Sequence, residues 1–364
     1  MTATPTDPTR FSGVRAWGHL AALEEIGPRV SGGKGAERAR AYLRDELGAL
    51  GLEVRELPVE VAPAGGGEVL ELVHLVAVLP GESPDVFLLA AHYDTLHYES
   101  FRYVGTNESA SGPALLLELA RVMSLETRPY TVWLAFIDGD ALDGVALERE
   151  ALEHGALDGV ALEREALEHG ALDGVALERE ALERDVALAA LADGGDAEAA
   201  SGLLGSRSFA SALAAEDELA GIRLAVVFDA VADSDLHIAR DLNSRRVYRE
   251  TFWEVAHDLD RSTAFPMDGS LDSPQAAHRS FAVHGVRSIV AIVDNRYGGD
   301  AIPGDYWHTE HDTSSHCSPR SLQTVGEVSF EALSRIAERL SRIDDFATHP
   351  LEGVNGVPAP ARIR

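Results

Sequence analysis

The chain has 364 residues, 45% of them hydrophobic and 25% charged, which is ample apolar material for a core and excludes a disordered chain. Lys and Arg number 31 against 60 Asp and Glu, and the formal charge of −29 repels phosphate backbones and anionic lipid, which excludes a nucleic-acid or membrane-surface binder. The single cysteine, Cys317, excludes an internal disulfide and a thiolate zinc cluster, so any metal must sit on His and carboxylates.

Residues Met1 to Phe11 are rich in Thr, Pro and Asp, without the charged-then-apolar layout of a signal peptide. No apolar run reaches the roughly 18 residues of a membrane span, and the expected location is cytoplasmic. Ala16, Trp17, Leu20, Leu23 and Ile26 recur at helical spacing and stop at Gly27-Pro28. A second amphipathic helix is predicted over Ala36–Leu50, closed by Gly51. Strands follow at Glu53–Val61, Val69–Leu79 and Val86–Ala91, with Pro80-Gly81 and Ser83-Pro84 predicted as turns. Beyond them helices at Ser111–Met123, Leu203–Leu213, Val247–Leu259 and Pro319–Ile343 alternate with strands at Tyr130–Ile137, Ile222–Phe228 and Arg287–Val293. Alternation of this kind predicts a three-layer α/β/α fold around a mixed, mostly parallel sheet, with the site at the carboxyl ends of the strands.

One stretch breaks the order. Ala141–Gly155, Ala156–Gly170 and a third copy from Ala171 repeat a fifteen-residue unit. Fifteen residues overshoot four helical turns by about 0.6 residue, so an apolar stripe would drift by roughly 60° per copy and form no straight seam. A mid-unit glycine in each copy (Gly144, Gly159, Gly174) weakens the helix further. Residues 141–202 are therefore read as an acidic insertion, either solvated decoration or a lid or partner arm, interrupting one domain over 11–345. Tails occupy 1–10 and 346–364.

The chemistry-bearing residues lie at strand ends. The strand from Val86 runs into His92-Tyr93-Asp94, which sets an imidazole and a carboxylate two positions apart on one face. That spacing suits a metal ligand and the acid that orients it. Gly105–Gly112 carries Glu108 at the entrance of the next helix, the strand Tyr130–Ile137 ends in Asp138-Gly139-Asp140, the strand Ile222–Phe228 ends in Asp229, and Trp307-His308-Thr309 follows a Gly/Pro loop. Mixed His, Asp and Glu at these ends suit zinc. His97, His154, His169, His311 and His316 are read as residues without a role in the site.

These boxes in this order resemble the zinc exopeptidases of the M28 family and their relatives, the glutaminyl-peptide cyclotransferases. Ile26-Gly-Pro-Arg-Val, His92-Tyr-Asp-Thr, Gly105–Gly112 with Leu117-Glu-Leu-Ala-Arg, Phe136-Ile-Asp-Gly-Asp, Gly202-Leu-Leu-Gly-Ser-Arg, Phe228-Asp and Trp307-His-Thr carry the resemblance. Tyr103-Val-Gly-Thr and Trp307-His-Thr look more like the cyclotransferase branch, which implies that Trp307 lines the substrate pocket. The resemblance implies one or two zinc ions: His92 and Asp229 on one, His308 on the other, Glu108 bridging where the family usually has Asp. It implies Asp94 as the residue orienting His92 and Asp140 in the place of a glutamate general base. The family's next glutamate, a ligand, is Ala141 here, and a further acid is replaced by Ala277 before His278.

The activity implied is removal of N-terminal residues from peptides by a metal-activated water. One alternative is cyclisation of N-terminal glutamine to pyroglutamate. Another, favoured by Ala141 and Ala277, is a catalytically silent binding module.

Overall fold

Strands with apolar side chains on both faces need cover on both faces, and the helices supply it. The computed structural model describes residues 10–61, 69–141, 203–267, 271–272 and 277–348. The expected insertion and both tails lie almost wholly outside these residues. Helices α1 (Gly13–Ile26) and α2 (Lys34–Ala49) precede β1 (Glu53–Val61), β2 (Leu70–Leu79) and β3 (Ser83–His92). Then come α3 (Ser111–Met123), β4 (Tyr130–Ile137), α4 (Leu204–Ala215), β5 (Ile222–Asp229), α5 (Arg246–Asp258), α6 (His278–Val283), β6 (Ile289–Val293) and α7 (Pro319–Thr348).

The sheet order is β1-β2-β4-β3-β5-β6. Hairpin β1–β2 and the pair β2–β4 are antiparallel, while β4, β3, β5 and β6 are mutually parallel. Parallel strands end on the same edge. His92 pairs with Ile137 and Asp229 with Val293, so the ends of β3, β4 and β5 deliver their acids and imidazole side by side.

Along β3 the alternation of a doubly covered strand is explicit. Phe87, Leu89 and Ala91 enter the larger core with Leu20, Leu43, Leu115 and Leu322 from α1, α2, α3 and α7. Val86, Leu88 and Ala90 face Phe209 and Phe281 from α4 and α6. This is the expected three-layer architecture. No described helix is long and apolar enough to cross a membrane.

Two details differ from the sequence expectation. Ser83-Pro84 opens β3 instead of forming a separate turn: Ser83 already pairs with Tyr130, and a register irregularity before Val86 absorbs the proline. The segment before β6 contains the short helix α6, whose six residues hold too little periodic pattern to be seen in sequence.

His74 on β2 ties the sheet to the site edge. The Asp138 N–H donates to its Nδ1 at 3.2 Å, and its Nε2 lies 3.1 Å from Ser208 Oγ on α4. Accepting a backbone N–H demands an unprotonated Nδ1. Burial lowers its pKa to about 3. Between that value and the 6.5 of a free imidazole the unfolded chain binds a proton that the native state refuses. Its contribution is therefore complete above about pH 6.5 and is lost as pH falls from there towards 3, at up to about 1.4 kcal/mol per pH unit. In urea unfolding at pH 7, 6, 5 and 4, His74→Gln is expected to show a shallower acid decline than the unsubstituted protein. An unchanged slope contradicts this.

Candidate metal and catalytic centre

Four segments converge where the parallel strands end. His92 closes β3, Asp229 closes β5, Glu108 lies in a π-helical turn over Thr106–Ala110 that leads into α3, and His308 sits in the loop before α7. His92 Nε2 stands 3.4 Å from Glu108 Oε1 and 3.8 Å from Asp229 Oδ1; His308 Nε2 stands 3.8 Å from the same Glu108 oxygen. Thus Glu108 lies between the two imidazoles.

Local backbone chemistry explains the convergence. In the π turn the Ala110 N–H reaches the Gly105 carbonyl at 3.1 Å, which widens the helix entrance, a distortion frequent at functional sites. Gly112 lets this entrance lie on the sheet: a Cβ there would stand 2.7 Å from Ala91 Cβ and 2.8 Å from the Phe228 carbonyl oxygen. The loop after Asp229 is stitched to the same turn, since the Ala232 N–H donates to Asn107 Oδ1 at 2.7 Å and the Val231 N–H to Ser111 Oγ at 2.9 Å. Ala230, next to Asp229, has φ 51°, and His308 itself has φ 57°. A left-handed backbone at such residues is costly and collects where side chains must be aimed.

The acids around these donors have distinct tasks. Asp94 Oδ1 lies 3.3 Å from His92 Nδ1, which holds the ring proton on that side and leaves Nε2 facing the centre. The same carboxylate accepts the Asp140 and Ala141 N–H groups at 3.2 and 2.9 Å, tying the end of β4 to that of β3. Burial alone would lower the His92 pKa, but the carboxylates of Glu108, Asp229 and Asp94 hold it well above its ordinary value. Burial pushes Glu108 the other way, and the two imidazoles outweigh it to keep that carboxyl below its usual range. The centre therefore attracts positive charge.

Asp140 is buried, and desolvation raises its pKa to about 7. Its Oδ1 accepts the Ser206 N–H at 2.5 Å, whereas Oδ2 makes no hydrogen bond. Trp307 stacks on His308 with centroids 3.5 Å apart and planes at 18°. Ala141 is buried against Leu96 and Tyr103, an apolar spot where a carboxylate was the alternative. Ala277 packs in the core beside Phe281, and buried His278 stands 3.5 Å from Asp241 Oδ2. His97 and His311 are exposed.

Residues to which the sequence assigned no role also build the site. Arg29 is fully buried and donates to the carbonyls of Tyr93, Leu23, Gly27 and Gly105 and to Ser109 Oγ, at 2.8 to 3.2 Å. Asp312 and Tyr103 lie beside Glu108. A lone arginine or aspartate in a loop gives no periodic signal; the spacing Trp307-His-Thr-x-x-Asp312 was the trace available.

Whether the donors suit zinc can be judged from their spacing. Ligands at about 2.0–2.2 Å in a tetrahedron are roughly 3.3–3.6 Å apart. The His92–Glu108 pair at 3.4 Å already matches that edge, and the pairs at 3.8 Å exceed it by a few tenths of an ångström. Among the described residues no group of three such side chains is closed tightly enough to hold a metal ion as it stands. Asp229 Oδ1 is buried and makes no hydrogen bond, its approach to His92 Nε2 at 3.8 Å being an ion pair, so it keeps acceptor capacity that a cation would use. One nitrogen and two carboxylates on the His92 side fit zinc.

The model of peptidase family M28 matches residues 74–142 and 165–333. A glutaminyl cyclase of an Acidobacteriales bacterium superposes with TM-score 0.69 at 22% identity, covering 93% of this chain and 99% of that one. A Zn-dependent exopeptidase from Parabacteroides distasonis gives 0.66 at 17% identity over 90% and 99%, and a leucine aminopeptidase precursor from Bacteroides thetaiotaomicron gives 0.65 at 19% over 90% and 98%. A comparison with curated protein sequences returned no match. The structural likenesses concern the fold, whereas the family match extends over most of the sequence: the chain belongs to peptidase family M28.

Proposed function

We propose that the protein is a zinc-dependent exopeptidase that removes N-terminal residues from peptides, using one ion on His92, Glu108 and Asp229. The observation that carries this reading is the approach of His92 Nε2 to Glu108 Oε1 and Asp229 Oδ1 at 3.4 and 3.8 Å, the Asp229 oxygen being buried and making no hydrogen bond. Zinc held there supplies Lewis acidity towards the substrate carbonyl. Asp140, with Oδ2 free and a pKa raised to about 7, takes a proton from water and returns it to the leaving amine. The excess of carboxylates around the centre attracts the free ammonium of a peptide N-terminus, and Trp307 walls the pocket that receives its side chain.

Cyclisation of N-terminal glutamine is the second reading, favoured by the Trp307 ring lying flat on His308 next to the centre. There the substrate α-amine attacks its own γ-amide carbon, the C–N bond to the amide nitrogen breaks, and ammonia leaves without consuming water. Zinc-loaded protein is expected to release aniline from aminoacyl-anilides; formation of pyroglutamate from a glutaminyl peptide instead would favour the second reading. Neither product from a protein with bound zinc overturns both and leaves a binding module.

A further inference from the structure

We propose that Asp312 is a positioning residue that sets the separation of Glu108 from His308. It lies four positions after His308 and is buried, and each of its three oxygens accepts a main-chain N–H from the turn that carries Glu108. Its main-chain oxygen accepts the Thr106 N–H at 3.4 Å, Oδ1 accepts the Asn107 N–H at 2.6 Å, and Oδ2 accepts the Glu108 N–H at 3.2 Å. Three consecutive amides at the start of a helical element are otherwise orphan donors. Here one residue from a distant loop satisfies all three.

Tyr103 completes the link. Its hydroxyl lies 3.2 Å from Asp312 Oδ2 and 3.4 Å from Glu108 Oε2, and its ring meets His308 edge-on with centroids 6.2 Å apart. Asp312 thus fixes the main chain of Glu108, touches the group that holds the carboxylate of Glu108, and belongs to the loop of His308. Glu24 on α1 braces the same two segments without touching Glu108: its Oε1 accepts Thr106 Oγ1–H at 3.0 Å and the Ser314 N–H at 2.8 Å. The two acids therefore separate bracing from positioning.

This inference rests on the zinc reading above, and its test separates the two. Asp312→Asn leaves one acceptor oxygen where two are used, and zinc titration of the metal-free protein by calorimetry is expected to show affinity lowered about 10–100-fold. Glu24→Gln is expected to lower thermal stability while leaving zinc affinity within about threefold. Asp312→Asn binding zinc as tightly as the unsubstituted protein, or Glu24→Gln weakening it equally, overturns the proposal. Should the unsubstituted protein take up no zinc, the zinc reading fails, and a crystal structure of metal-free Asp312→Asn decides the positioning role. A Glu108–His308 separation widened by about 1 Å or more supports it, and an unchanged separation overturns it.

Discussion

Arg29→Ala is expected to lower stability by about 3–5 kcal/mol, the largest effect of any single substitution considered for this fold. The guanidinium is completely buried and donates to four carbonyl oxygens and one hydroxyl, drawn from the end of α1, the segment after β3 and the π turn. Burial lowers its pKa to about 10, opposed by Glu108 and Asp312, so it remains charged at neutral pH. Removing it takes the charged donor from the buried Tyr93 and Gly27 carbonyls and deletes a buried cation that interacts with Glu108 and Asp312. Arg29→Lys restores charge but not the planar fork, and is expected to recover less than half of the loss. Urea unfolding of the three proteins checks both values. A cost below about 1 kcal/mol for Arg29→Ala would show that water replaces the side chain.

Asp140→Asn is expected to lower kcat/KM by about 10²–10⁴ while leaving the zinc content unchanged. The amide keeps the oxygen that accepts the Ser206 N–H, so the turn after β4 survives. It cannot take the proton that water must lose. Steady-state kinetics with the substrate found active, beside metal analysis of the same samples, gives the answer. Activity within about tenfold of the unsubstituted enzyme would place the base elsewhere; loss of zinc together with activity would make Asp140 a ligand.

The layered fold was legible because the physics that makes it is local. Apolar runs such as Val86–Ala91 can lie only between two covering layers, and each ends in a residue that water or a metal must satisfy. His92 and Asp229 were legible as candidates for the same reason and Glu108 and His308 through the motifs around them, whereas their mutual distances were not. Those depend on Gly112 allowing α3 to touch the sheet and on the Asn107 and Ser111 bonds to the loop after Asp229. Arg29 and Asp312 escaped because a residue bonded to distant carbonyls or amides leaves no pattern around itself. The π turn escaped because its sequence, Thr-Asn-Glu-Ser-Ala, reads equally well as a loop or a helix start. The Ser83-Pro84 turn was misread because proline at a strand's first residues carries the same signal as proline in a turn.

The account stands on a single cation being held by an imidazole and two carboxylates that arrive from two strand ends and a helical turn. Crystals soaked in zinc, with anomalous differences collected on both sides of the zinc edge, test this most directly. The expected result is one peak about 2.0–2.2 Å from His92 Nε2 and from carboxylate oxygens of Glu108 and Asp229. No peak at full zinc concentration, or a peak held by other side chains, would contradict it.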